Sequence, residues 1–126
     1  MLLFHPGGQY RFEIPDAWLQ AAGVLRFTPR SPCYVAAPDP QWPAVTIGIL
    51  QVGLPQDAQR TPVFNEARMV EVLKAMANGR ALPALWCSKD AVSGRVVLHQ
   101  GLHRYHAAMA LRFRQVPVSL RPYFTL

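Results

Sequence analysis

Apolar residues recur along this chain with two different periods, and each period predicts a different kind of element. Met69, Val72, Leu73 and Met76 fall at helical spacing, behind Asn65 as a capping residue and ahead of an Asn78-Gly79 stop. That pattern predicts a helix over residues 66–77. Tyr10-Arg11-Phe12-Glu13-Ile14 instead alternates apolar and charged residues, as a half-buried strand does. Pro15-Asp16 then opens a short helical turn carrying Trp18, Leu19 and Ala22, and Gly23 stops it. Residues 44–50 read as a strand. Residues 82–87 and 95–99 read as antiparallel strands joined through 88–94. A helix over 102–113 and a strand over 116–121 complete the pattern. Five prolines (Pro29, Pro32, Pro38, Pro40 and Pro43) make residues 28–43 irregular, or a set of short edge strands.

With 126 residues, 51% of them hydrophobic, the chain is long enough for one core and too apolar for disorder. There are no internal repeats. No apolar run approaches the roughly 20 residues that span a bilayer. The opening Met1-Leu2-Leu3-Phe4-His5-Pro6-Gly7-Gly8 lacks a basic start and a long apolar stretch, so no secretory signal is expected. Cys33 and Cys87 fit no disulfide scaffold and read as free thiols of a cytoplasmic protein.

The net charge of +6 is unevenly placed. In residues 1–43, Arg11, Arg26 and Arg30 are balanced by Glu13, Asp16 and Asp39. From Arg95 onward, Arg95, Arg104, Arg112, Arg114 and Arg121 face no carboxylate. Such a block suits a polyanion, nucleic acid or nucleotide phosphate, although a basic solvated surface has the same composition.

The densest chemistry lies at Gly101-Leu102-His103-Arg104-Tyr105-His106-Ala107-Ala108, directly after the apolar Val96-Val97-Leu98. A glycine at a strand-to-helix turn lets backbone amides approach a ligand. The first turn of the helix then offers unpaired N–H groups and the positive end of the dipole, to which His103 and Arg104 add side chains. An ordinary strand–turn–helix with a solvated arginine has the same spacing. His99, His103 and His106 lie close in sequence but lack the companions of a zinc site. Tyr105, Phe113, Tyr123 and Phe124 near the arginine-rich end can stack bases or fill a core.

This segment, followed by Ala110-Leu111-Arg112-Phe113 and Val116-Pro117-Val118, resembles the signature of the ParB/sulfiredoxin superfamily. The upstream helix and Ala81-Leu82-Pro83-Ala84-Leu85-Trp86 agree with it, and the resemblance covers about residues 44–121. It implies an α+β fold: a ParB/sulfiredoxin-like mixed sheet with two main helices. Residues 44–126 would form the nucleotide- and DNA-binding core, and residues 1–43 a β-rich N-terminal extension.

The resemblance also implies a site. The 66–77 helix would face a nucleotide held at the Gly101–Arg104 turn. Gly101, Leu102, His103, Arg104 and Arg68 are then the expected contacts to ATP or CTP. Glu71, Glu66 and His103 are the expected catalytic groups, and Glu71 and Glu66 the carboxylates for Mg2+, an ion that substrate phosphates otherwise hold. Arg95, Arg112, Arg114 and Arg121 are the expected nucleic-acid contacts. Leu102 stands where sulfiredoxins carry a reactive cysteine, and leucine cannot form a covalent sulfur intermediate. Leu102-His103 also departs from the Glu-Arg of chromosomal ParB proteins, and centromere-type reading by a downstream helix-turn-helix domain is not expected.

The remaining resemblance is to small plasmid-encoded fertility-inhibition members. It implies an ATPase and DNase that inhibits conjugative DNA transfer, with DNA, a nucleoside triphosphate and a conjugation or secretion machinery protein as partners. Two other functions fit the same residues. One is a non-enzymatic nucleotide- or DNA-binding switch or adaptor. The other is a protein-interaction inhibitor with a vestigial nucleotide site.

Overall fold

Five strands form one mixed sheet, in the spatial order β3-β7-β5-β6-β4. The computed structural model describes residues 2–4, 11–54 and 63–122, so the expectations at Tyr10, Tyr123 and Phe124 lie outside the described residues. β3 (Val45–Gly48) runs antiparallel to β7 (Gln115–Leu120), and β7 runs parallel to β5 (Leu85–Lys89). β5 pairs antiparallel with β6 (Val96–Gln100), which carries β4 (Val52–Gly53) parallel on its other side. A separate antiparallel pair joins β1 (Leu2–Phe4) to β2 (Arg11–Glu13). The helices are α1 (Asp16–Ala22), α2 (Glu66–Ala77) and α3 (Leu102–Ala110), and α2 packs against both others. The α+β class and the mixed sheet expected from the sequence are both present.

Three boundaries differ from the sequence pattern, each for a local reason. The apolar run at 44–50 does not continue as one strand: after Gly48 the chain makes a 3-10 turn over Ile49–Gln51. The Gln51 amide oxygen holds that turn by accepting the Gly48 N–H at 2.9 Å, and the chain then joins the opposite sheet edge as β4. β5 begins at Leu85 because Leu82 bridges Ala36 instead, and Pro83 has no N–H for a ladder. α3 stops at Ala110, where Arg112 takes the left-handed conformation (φ 68°). Phe113 N–H bonds the Ala108 carbonyl at 3.0 Å, closing the helix in a way more usual for glycine.

One core joins the helices to the inner face of the sheet. Met69 and Leu73 of α2, Tyr105 and Ala108 of α3, Leu85 and Cys87 of β5, and Val116 and Val118 of β7 are all buried. Phe12, Ile14, Leu19 and Tyr34 enter the same cluster, so this part of the N-terminal segment shares the core of the rest. Leu73 is wholly buried, and truncating it to alanine would cost roughly 2–5 kcal/mol.

Candidate nucleotide cleft

Gly101 is the turn on which the site is built. It joins β6 to α3 at φ 113°, a backbone conformation open to glycine. A Cβ there would lie 2.7 Å from Leu85 Cδ2 and 3.1 Å from Arg104 Nη2, so neighbouring atoms exclude a side chain as well. Beyond the turn, the first-turn amides at Leu102, His103 and Arg104 lack intrahelical acceptors and carry the positive end of the α3 dipole.

α2 supplies the facing wall. Asn65 caps it as expected, its side chain accepting the Arg68 N–H at 2.9 Å. Arg68, Glu71 and Ala75 recur at helical spacing and line one cleft of about 700 Å³. Leu82 and Pro83 close a third side, beside α2 and the Gln100–Arg104 turn. The structure therefore brings together Arg68, Glu71, Gly101, Leu102, His103 and Arg104. Glu66 does not line the cleft. It sits five positions before Glu71, about 140° around the helix axis, so the two carboxylates cannot address one ion together. Arg80 also lines the cleft and was missed, although it is the first charged residue after the Asn78-Gly79 stop.

The basic side chains are positioned by backbone contacts. His103 Nε2 accepts the Asn65 N–H at 3.1 Å, and its ring meets Phe64 at 5.5 Å between centroids. Burial, then the Arg68 charge, pushes the His103 pKa below its ordinary value, in keeping with a neutral acceptor ring. Arg104 Nη1 donates to the carbonyls of Pro83 at 2.6 Å and Ala84 at 3.2 Å. Burial depresses its pKa too, but an arginine starts so high that it stays a cation. Tyr34, from the N-terminal segment, donates its hydroxyl to the same Pro83 carbonyl at 2.9 Å. Ala37 N–H bonds the Leu82 carbonyl, and Leu82 N–H bonds the Val35 carbonyl, so residues 34–37 pin the cleft's third wall.

The other sequence candidates are scattered. His99 shares a 2.6 Å hydrogen bond with Ser88 across β5 and β6. His106 is buried, donating from Nδ1 to the Leu102 carbonyl at 2.8 Å and packing edge-on against Phe12 at 4.5 Å. Among the described residues no three His, Cys, Asp or Glu side chains gather as a metal cluster. Arg95 lines a groove beside β4. Arg112 and Arg114 flank another groove together with Arg30. Arg121 is paired with Asp39 at 3.5 Å and lies over the rings of Trp42 and Trp86 at 5.7 and 5.5 Å. Cys87 is buried in the core, which pushes its thiol up to about 12 and makes it a poor nucleophile. No helix among the described residues is long and apolar enough to cross a membrane.

The mixed sheet with its packed helices has a counterpart among solved structures. The crystal structure of sulfiredoxin from Arabidopsis thaliana is similar, with a TM-score of 0.52 over 64% of this chain and 85% of that one, at 16% identity. The fold is sulfiredoxin-like. At that identity the likeness concerns the fold alone. No family model and no curated protein matches the sequence. Within this fold, Gly101 opens α3 and Leu102 occupies its first helical position.

Proposed function

We propose that the cleft binds a nucleoside triphosphate, ATP or CTP, and that the protein hydrolyses it. One observation carries this reading: Glu71 stands in a cleft whose other charged groups are Arg68, Arg80 and Arg104, beside the free amides at the start of α3. Phosphates would take those amides and guanidinium groups, since oxyanions gain charge-assisted hydrogen bonds from both. Glu71 would orient the attacking water or hold Mg2+. A single carboxylate suits an ion held mainly by phosphates, and the ion would neutralise charge developing on them. Leu102 leaves no thiol at the turn, so no sulfur intermediate forms there.

The same reading extends to DNA. The protein would act on it as a DNase and, like the plasmid factors it resembles, restrain conjugative transfer through a conjugation or secretion machinery protein. The fit of one carboxylate, with Glu66 outside the cleft, also supports a second reading: nucleotide binding without turnover, as a switch or adaptor. Phosphate release by the full-length protein, with ATP or CTP and Mg2+, decides between them. Release that Glu71→Gln abolishes supports the hydrolase, and binding without release supports the switch. Absence of both binding and release returns the cleft to a vestigial site.

A further inference from the structure

The arginine-rich C-terminal stretch does not act as one block in space. Arg112 and Arg114 meet Arg30, from the segment whose charge balanced to zero in the sequence, around one groove. That groove shares Thr28, Pro29, Arg30 and Ser31 with a longer one containing Arg26 and reaching the C-terminal end of α2. The two adjoin along residues 28–31 as one seam; Arg26 and Arg30, from the N-terminal segment, form one bank, and Arg112 and Arg114, after α3, the other. All four are exposed, and no carboxylate lines either groove.

The banks are fixed by backbone bonds. Gln115 N–H bonds the Pro32 carbonyl at 2.9 Å, and Ile49 N–H bonds the Arg114 carbonyl at 2.9 Å. Arg112 is set by its left-handed helix-closing position. The longer groove is lined by half-buried Phe27 and by the buried Phe113, their ring centroids 5.9 Å apart.

We propose that this seam is a binding track for single-stranded nucleic acid. Arginines on both banks match the phosphates of a polymer rather than one isolated anion. Phe27, half-buried in the adjoining groove, offers stacking to unpaired bases, which a duplex keeps inside its stack. Arg95, in a separate groove with Lys89, and Arg121, paired internally with Asp39, lie outside the track. The proposal deepens the reading that the protein acts on nucleic acid by giving that action a place and a strandedness.

Fluorescence anisotropy of the full chain tests it, using labelled oligothymidine of about 20 nucleotides and a duplex of equal length. Nucleotide is left out, so the result does not depend on turnover. Single strands should bind more tightly than duplex. Arg30→Gln and the pair Arg112→Gln with Arg114→Gln should each lose roughly tenfold or more in affinity, and the salt slope should fall by about 0.7 per arginine. Phe27→Leu should weaken binding about fivefold with its salt slope unchanged. Lys74→Gln, an exposed charge on α2, should stay within about twofold of the parent. The track is overturned by tighter duplex binding, by losses no larger than that of Lys74→Gln, or by no binding at low salt. Tight binding lost only in Arg95→Gln would keep the nucleic-acid reading and discard the track. Binding lost in the track variants of a protein without nuclease activity would keep the track and discard the DNase.

Discussion

His103 Nε2 accepts the backbone N–H of Asn65, so a single imidazole ties the residue that caps α2 to the first turn of α3. The bond requires an unprotonated Nε2, and the lowered His103 pKa has the same cause, a half-buried ring beside Arg68. Its folded-state pKa lies below the ordinary 6.5, so its contribution to stability is present above 6.5 and is lost as pH falls through the lower folded value. His99, lowered by burial, acts with the same sign. The melting temperature should therefore drop as pH falls below 6.5, and His103→Ala should flatten part of that drop while costing roughly 1 kcal/mol near neutrality. Thermal melts of both proteins across that range check it. A parallel pH dependence in the two would remove His103 from the account.

Gly101→Ala should be among the more damaging substitutions at a partly exposed position. A side chain at φ 113° is strained, and its Cβ would fall 2.7 Å from Leu85 Cδ2. Strain alone costs roughly 1–3 kcal/mol, with the clash added to it. Gly79→Ala is the contrast: also at positive φ, but with nothing within 4 Å of its Cβ, it should cost about 1 kcal/mol. Chemical denaturation of the two variants gives the comparison, and equal losses would show that the Leu85 contact is relieved at no cost.

Arg104 donates to the Pro83 and Ala84 carbonyls, and its guanidinium lies beside the Gly101 turn. Arg104→Ala should weaken nucleotide binding by roughly 1.5–3 kcal/mol and lower stability by about 1 kcal/mol, because the part-buried Ala84 carbonyl loses this donor while Tyr34 still serves the Pro83 carbonyl. Arg104→Lys keeps the charge but loses the fork. It should restore more of the nucleotide affinity than of the stability. Calorimetric titration beside thermal melts separates the two effects, and full affinity in Arg104→Ala would exclude a phosphate contact.

Glu71→Gln keeps the size of the side chain and removes its charge. If the cleft hydrolyses nucleotide, turnover should fall on the order of 10²–10⁴-fold with affinity only modestly changed. Glu66→Gln, outside the cleft, should retain turnover. Phosphate release by both variants measures this, and parent-like release by Glu71→Gln would discard the assignment.

Much of this was legible in the sequence because the signals were local. The stripe through Met69 and Leu73, the Asn65 cap and the Gly101 turn each depend on residues a few positions apart. Helical spacing put Arg68 and Glu71 on one face of their helix, but that this face meets the turn was implied by the family resemblance, not by any period in the chain. What stayed hidden depended on pairings across long separations. Tyr34 reaches Pro83 over 49 positions, and Arg121 reaches Asp39 over 82. No period in the chain encodes such contacts. For the same reason the arginines looked like one basic block, whereas folding paired Arg121 internally and placed Arg30 beside Arg112 and Arg114.

The most direct test of the cleft is a map of backbone amide resonances during titration with ATP and Mg2+. The largest shifts should fall at Leu102, His103 and Arg104, with a second set at Arg68 and Glu71 on the facing helix. Saturating shifts confined to the seam around Arg30 and Arg112, or no saturable shifts with either ATP or CTP, would contradict the assignment of this cleft as a nucleotide site.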